Sequence, residues 1–149
     1  MLIERTGNVL DIDEGIIIHG CNSLGVMGSG IASQIKTRFP QAYEIYKQAH
    51  LDGKLFMGSF TLVAVNDDPL KIIVNAVTQK NVGHGKQVSY DAIESCFLGV
   101  NKLMKDLGLK IPLCFPMIGA GLGGGNWRII AEIIDSSVSN DFEKILYLL

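Results

Sequence analysis

The chain has 149 residues, with 13 basic and 15 acidic side chains, a formal net charge of −2 and a hydrophobic fraction of 48%. This length and composition favour a single domain built around one packed core. The sequence has no basic stripe and no long run of like charges, which argues against a general nucleic-acid-binding or membrane-surface protein.

No stretch of the sequence has the composition of a targeting or membrane-spanning segment. Residues 1–6 lack the basic start and long apolar run of a signal peptide, and no apolar run reaches the ~18 residues that cross a bilayer. We therefore expect a cytoplasmic protein that makes no membrane contact.

Strand and helix patterns alternate along the chain. The predicted strands are residues 2–6, 15–19, 60–65, 71–77, 111–117 and 144–149. The predicted helices are residues 28–39, 41–51, 89–107 and 127–138, and residues 66–69 form a hairpin loop. This alternation predicts a layered α/β fold with a largely parallel or mixed sheet.

A glycine-rich stretch joins the second strand to the first helix. The apolar residues 16–18 lead into a polar loop, and the loop leads into a helix with apolar Ile31 and Ile35. The first N–H groups of a helix have no intrahelical partner and carry partial positive charge. Glycine also lets the backbone approach a ligand closely. The stretch therefore has the composition of a phosphate site, although glycines after a strand also form plain turns.

The same arrangement occurs again near the C-terminal end of the sequence. A strand ending near Ile118 is followed by the run 119–125, of which five residues are glycine, and then by a helix. These two loops and the polar loop 78–86 all follow strands, so they can meet at the carboxyl edge of one sheet. Two such loops suggest a ligand with two phosphates, or with a phosphate and a sugar, held by backbone amides.

The three cysteines stand alone in the sequence. Cys21, Cys96 and Cys114 form no CxxC or Cys/His metal spacing, and their odd number argues against a disulfide framework. We expect free thiols in a reducing compartment, with no metal and no cofactor. Cys21 lies in the first glycine-rich stretch, but no His–Asp pair stands near it in sequence to activate a nucleophile.

The ordered set of motifs resembles the macro domain family, whose members bind ADP-ribose on a three-layer α/β/α fold with a central mixed sheet. The resemblance covers essentially the whole chain, 1–149. The matching pieces are, in order, Gly7-Asn8-Val9-Leu10, His19-Gly20-Cys21-Asn22, Met27-Gly28-Ser29-Gly30-Ile31-Ala32, Pro116-Met117-Ile118-Gly119-Ala120-Gly121-Leu122 and Tyr147-Leu148-Leu149. Within the family, the HxCN and GxGIA motifs and the pair His84-Gly85 are most similar to the ADP-ribose 1″-phosphate phosphatase branch.

The resemblance implies binding roles at matching positions. Asn8 replaces an acidic residue that binds adenine, and the first glycine loop holds the distal phosphate and ribose. The second glycine loop holds the diphosphate, and the C-terminal residues pack near adenine. The implied ADP-ribose-binding residues are Asn8, Val9, Met27, Gly28, Ser29, Gly30, Ile31, Ala32, Thr78, Ile118, Gly119, Ala120, Gly121, Leu122, Gly123, Tyr147 and Leu149.

Three residues are candidates for catalysis. Asn22 matches the asparagine that contacts the distal ribose in catalytic members, although an Asx-turn is the alternative. His84 is a candidate general acid because its ordinary pKa lies near neutrality, and a solvent-exposed loop histidine is the alternative. His19 ends an apolar strand, where it is either a base or a hydrogen-bonded structural residue.

The expected activity is hydrolysis of ADP-ribose 1″-phosphate to ADP-ribose and phosphate. The alternatives are a hydrolase that removes ADP-ribose from protein or nucleic acid, and a non-catalytic ADP-ribose reader. A related branch removes ADP-ribose from glutamate with a Lys and an Asp, where this chain has Gln79 and Gly123. The expected partners are ADP-ribose or its 1″-phosphate, and possible further partners are ADP-ribosylated macromolecules.

Overall fold

The computed structural model of the chain describes residues 1–82, 87–121 and 123–149. Six strands and four α-helices follow one another in the order that the sequence predicts. The strands are β1 (Ile3–Thr6), β2 (Gly15–Asn22), β3 (Phe60–Asp67), β4 (Leu70–Gln79), β5 (Leu113–Phe115) and β6 (Lys144–Leu148). The helices are α1 (Gly30–Arg38), α2 (Pro40–Leu51), α3 (Tyr90–Asp106) and α4 (Trp127–Ser137).

The strands form one mixed sheet in the order β1-β6-β5-β2-β4-β3. All neighbouring pairs are parallel except β3 and β4, which are antiparallel. Strand β2 therefore lies between β4 and β5, and the carboxyl ends of these three parallel strands meet at the same edge. The predicted mixed α/β sheet is confirmed.

Helices cover both faces of the sheet, as the three-layer prediction requires. Alternate residues of β2 show the two faces: Ile16 and Ile18 pack with α3 and α4, whereas Ile17 packs with α1 and α2. The larger apolar cluster lies on the α3/α4 side, where Phe97 and Phe115 form an edge-to-face ring pair. Within the described residues, no helix is long and apolar enough to span a bilayer.

Several predicted boundaries are wrong, and two of them change the site. The sequence places residues 20–22 in a loop, but they continue β2, because parallel pairing with β4 extends to Asn22. Thr78 and Gln79 likewise belong to β4 rather than to the following loop. Helix α1 begins at Gly30 instead of residue 28, and β5 is only three residues long. Prolines 112 and 116 flank β5, and neither can donate a ladder hydrogen bond. A short 3-10 helix at Val9–Asp11 was not predicted.

A buried polar network joins β2 to β4 and α2. The side-chain amide of Asn75 donates to the Ala42 carbonyl and the Thr61 hydroxyl, both at 3.0 Å. The Asn75 oxygen is thus the acceptor for His19 Nε2, at 2.6 Å, so the imidazole carries its proton on Nε2. His19 is completely buried, and burial lowers its pKa to about 4 despite the opposing hydrogen bond to Asn75.

The neutral state of His19 makes folding stability depend on pH. The unfolded chain protonates His19 near pH 6.5, whereas the folded chain does so near pH 4. The contribution of neutral His19 to the free energy of unfolding is therefore complete above pH 6.5 and is lost as the pH falls from 6.5 to 4. The difference is worth roughly 3 kcal/mol at about 1.4 kcal/mol per pH unit.

We predict that a His19→Gln variant, which keeps a donor for Asn75 but cannot titrate, loses this slope. Denaturant unfolding of both proteins at several pH values between 7 and 4 measures it. Parallel stability curves for the two proteins would contradict the assignment of a neutral buried imidazole.

Candidate functional site: a cleft between two glycine loops

A cleft of about 510 Å³ opens at the carboxyl ends of β2, β4 and β5. Its two long walls are the first glycine loop, residues 23–29, and the second glycine loop, residues 119–125. The predicted convergence of the three strand-end loops is thus found in the described parts of these loops. The described lining residues are Gly20, Cys21, Asn22, Val26, Gly28, Ser29, Gly30, Ile31, Ala32, Thr78, Gln79, Val82, Pro116, Met117, Ile118, Gly119, Gly121 and Gly123.

The N-terminus of α1 presents unused donors to this cleft. Ser29 is the N-cap residue, but its side chain makes no capping hydrogen bond. At the starts of α3 and α4, by contrast, Ser89 and Asn126 bond to first-turn amides. The amides of Gly30 and Ile31 are therefore not satisfied by a cap, and they carry the positive end of the helix dipole.

Asn22 organises the first glycine loop through its side chain. Its Oδ1 accepts from the amides of Leu24 and Val26 at 3.0 and 3.3 Å, and from the Tyr46 hydroxyl at 2.9 Å. Its Nδ2 donates to the Val26 carbonyl at 2.8 Å. The Asx-turn alternative is therefore realised in the structure. The oxygen is fully used, so Asn22 can offer the cleft one remaining Nδ2–H donor.

The glycines of the second loop fall into two groups. A Cβ at Gly123 or Gly125 would stand 2.8 Å or less from atoms of the loop or of Val88, so these positions need glycine for packing. A Cβ at Gly121 meets nothing within 4 Å. Gly121 therefore borders open cleft space, and its backbone does not require glycine by its φ angle.

Hydrogen bonds hold the second loop in shape while leaving amides open. The Gly125 amide donates to the Gly119 carbonyl at 2.7 Å, and the amides of Gln87 and Val88 donate to the Gly123 carbonyl. Within the described residues, the amides of Gly121 and Gly123 have no hydrogen-bond acceptor. These two N–H groups are available to an anionic ligand.

Thr78, in β4, contributes a buried hydroxyl to the lining of the cleft. Thr78 is 1% exposed, and its hydroxyl has no hydrogen-bond partner among the residues that the structure describes. A Cβ at Gly20 would stand 2.8 Å from that hydroxyl and 3.2 Å from Ile118. Gly20 is therefore required for β2 to lie against these two side chains.

The cleft carries no formal charge along its described wall. None of the lining residues has an ionised side chain, and burial raises the pKa of the Cys21 thiol far above neutrality. Cys21 is thus neither a thiolate nucleophile nor a base. No group of three or more His, Cys, Asp or Glu side chains within the described residues is placed to hold a metal ion.

The structure brings together eleven of the proposed site residues and separates others. His19 lies behind the cleft in the buried network, and Met27 and Ala120 pack into the apolar clusters. His84 and Leu122 lie outside the described residues. The proposed site residues that line the cleft are Asn22, Gly28, Ser29, Gly30, Ile31, Ala32, Thr78, Ile118, Gly119, Gly121 and Gly123.

The proposed adenine contacts lie beside the cleft, toward the carboxyl ends of β1 and β6. Asn8 caps the 3-10 helix by accepting from the Leu10 amide at 3.0 Å, and Val9 is buried beneath it. Tyr147 is half-buried against the α1/α2 cluster, and Leu149 is exposed. Their roles toward a ligand stay predictions.

The lining residues that sequence reasoning missed lie mostly at strand ends. They are Gly20, Cys21, Val26, Gln79, Val82, Pro116 and Met117. Their positions could have been found by extending β2 and β4 to their true ends. Gln79 donates through Nε2 to the Asn81 carbonyl at 2.7 Å, whereas Lys80 is exposed and does not line the cleft. The cleft therefore has no lysine along its described wall.

Comparisons with known proteins agree with this geometry. The model of the macro domain family matches residues 18–134. An uncharacterized 17.5 kDa protein of Enterobacteria phage T4 is 34% identical over 138 residues, which cover 87% of this chain and 88% of the phage protein.

Two further relatives have named activities. A DNA ADP-ribosyl glycohydrolase of Mycobacterium tuberculosis is 26% identical over 99% of this chain but only 42% of its own length. An ADP-ribose 1″-phosphate phosphatase of Aspergillus clavatus is 36% identical over 42% of this chain and 31% of its own length. The chain thus spans less than half the length of each of these two relatives.

Solved structures share the fold. The macrodomain of Mycobacterium tuberculosis DarG has a TM-score of 0.87 at 24% identity and covers 100% of this chain and 98% of its own. Thermosipho africanus DarTG in complex with ADP-ribose has a TM-score of 0.81 at 22% identity and covers 99% of this chain and 42% of its own. From the family match and the cleft between its two glycine loops, the chain belongs to the macro domain family.

Proposed function

We propose that this chain binds ADP-ribose in the cleft and hydrolyses ADP-ribose 1″-phosphate to ADP-ribose and phosphate. The carrying observation is a cleft whose described lining has no charged side chain and which has backbone donors on both walls. On one wall are the uncapped amides at the start of α1, and on the other are the amides of Gly121 and Gly123. Two facing sets of N–H groups suit a ligand with a diphosphate and a further oxyanion.

The relatives support the choice of ADP-ribose as the common part of the ligand. The names of the glycohydrolase and phosphatase relatives both contain ADP-ribose, although the bonds that they act on differ. A cavity of about 510 Å³ lies within the range of small-molecule sites. Adenine would lie toward Asn8 and Val9, and the distal ribose toward Asn22 and Gly30.

The chemistry available in the cleft favours a phosphomonoester over a sugar–protein bond. Phosphoryl transfer depends mainly on positioning and on donors that stabilise the oxygens of the transferred group. The start of α1 and the Nδ2–H of Asn22 supply such donors. Water adds to phosphorus, the bond to the C1″ oxygen breaks, and that oxygen takes up a proton. His84 is the candidate source of that proton.

A second candidate activity is removal of ADP-ribose from DNA. The observation that favours it is the similarity of the glycohydrolases along 99% of this chain, against 42% for the phosphatase. Against it, Gln79 and Gly123 stand where the glutamate-acting branch has its Lys and Asp. A glycohydrolase reaction here would have to proceed without a lysyl–sugar adduct.

We predict that Gly121→Glu abolishes ADP-ribose binding and leaves the fold intact. The side chain enters open space, where it occupies the diphosphate position and repels it. Calorimetric titration with ADP-ribose and thermal unfolding measure the two effects. Gly121→Gln is the matched control, since it has the same size without the charge and separates steric from electrostatic loss. An affinity within twofold of wild type for the Glu variant would contradict the diphosphate assignment.

We also predict that the protein releases phosphate from ADP-ribose 1″-phosphate faster than it releases ADP-ribose from modified DNA or from glutamate-modified protein. Parallel turnover assays at equal enzyme and substrate concentrations measure the three rates. The Gly121→Glu variant, which lacks the binding site, is the control for contaminating phosphatases. Faster cleavage of the DNA substrate would replace the phosphatase proposal by the second candidate, and no turnover of any substrate would indicate a reader.

A further inference from the structure

We propose that Tyr46 is a positioning residue of the ligand site, which acts through Asn22 to hold the first glycine loop in its binding conformation. This inference rests on the proposed binding of ADP-ribose for its ligand, but not for its structural content. Tyr46 belongs to α2, is completely buried, and does not itself line the cleft.

The Tyr46 hydroxyl makes a forked hydrogen bond to one residue. It donates to the Asn22 carbonyl at 2.6 Å and to Asn22 Oδ1 at 2.9 Å. Burial raises the pKa of Tyr46, so the hydroxyl remains protonated and stays a donor across the pH range of the folded protein. The contact joins α2 to the last residue of β2, which is 24 positions earlier in the chain.

Asn22 in turn bonds to the backbone of the first glycine loop. The same Oδ1 that accepts from Tyr46 also accepts from the amides of Leu24 and Val26. Asn22 Nδ2 closes the turn on the Val26 carbonyl. Removing the tyrosine hydroxyl therefore removes two hydrogen bonds from Asn22, the residue whose side chain bonds to the backbone of the loop.

A second residue of α2 contacts the same loop. His50 lies one helical turn after Tyr46 and packs against Gly25, where a Cβ would stand 2.7 Å from the imidazole Cγ. Gly25 also has a φ of +75°, which favours glycine. One face of α2 thus contacts the first glycine loop. At the start of the loop, the amide and hydroxyl of Ser23 donate to the backbone carbonyls of Gln79 and Lys80 at 3.0 and 2.8 Å.

The arrangement matters for binding because the amides that would hold the ligand follow this loop directly. A Cβ at Gly28 would make only an ordinary contact with Val26 Cγ1 at 3.5 Å, and a Cβ at Gly30, the first residue of α1, would meet nothing within 4 Å. Neither is held by side-chain packing of its own. Apparent affinity falls in proportion to the population of the binding conformation, so a loop that keeps it only one tenth of the time binds about tenfold more weakly.

Tyr46→Phe tests the proposal, because it removes the hydroxyl and keeps the ring in the core. We expect the ADP-ribose affinity to fall about tenfold by calorimetry. We also expect faster hydrogen exchange at the Leu24 and Val26 amides of the free protein, with protection restored by saturating ADP-ribose. A merely structural loss of stability would speed the exchange of the sheet amides by the same factor as that of these two loop amides.

Tyr43→Phe is the matched control. It makes the same chemical change one turn earlier on α2, at a residue that bonds to no atom of the loop, and its ring stays against Lys36. We expect both readouts to match wild type. Should Tyr46→Phe fail to fold, Gly25→Ala pushes the loop away from His50 while leaving the tyrosine in place, and the same tenfold loss is expected.

The outcomes separate this inference from the proposed function. An ADP-ribose affinity within twofold of wild type for Tyr46→Phe overturns the positioning role, as does unchanged exchange of both amides. If the wild-type protein binds no ADP-ribose, the proposed function fails. The exchange readout, which needs no ligand, then decides the positioning role.

Discussion

The parallel pairing of β2 with β4 on one side and β5 on the other is the constraint on which the candidate site depends. It places the carboxyl ends of three strands at one edge of the sheet, so three separate loops meet there. Pairing with β4 continues to Asn22, which fixes where the first glycine loop begins. The buried Asn75 and His19 side chains reinforce the same pair of strands from the α2 side. The position of the cleft is thus a consequence of strand order.

A cleft that binds anions through backbone amides differs physically from one that uses lysine or arginine. The amide dipoles are held by the fold, so no long side chain loses rotamer freedom when the ligand binds. The uncapped start of α1 and the amides of Gly121 and Gly123 supply partial positive charge from the backbone. The cost is that the backbone must already lie in position. A contact such as that of Tyr46 with Asn22 therefore bears on ligand binding, although Tyr46 does not line the cleft.

The glycines of the site have two different structural roles. Gly20, Gly123 and Gly125 are needed because neighbouring atoms fill the space that a side chain would take. A Cβ at Gly28 would only touch Val26 at 3.5 Å, and a Cβ at Gly121 would meet nothing within 4 Å, so at these positions the missing side chain keeps the cleft open. A glycine-rich motif in a sequence does not separate these two groups, because the residue type is the same in both.

The sequence by itself determined the six strands, the four helices, their order, and the two glycine loops, since periodicity and glycine content are local properties of the chain. The order of motifs was also enough for the family. Only the tertiary structure decided that residues 20–22 and 78–79 extend strands, because parallel pairing comes from distant segments. It also decided that His19 is buried and neutral, and that Asn22 Oδ1 accepts hydrogen bonds from the loop amides and from Tyr46. Burial and hydrogen-bond partners depend on which elements pack together, and local sequence patterns do not specify that packing.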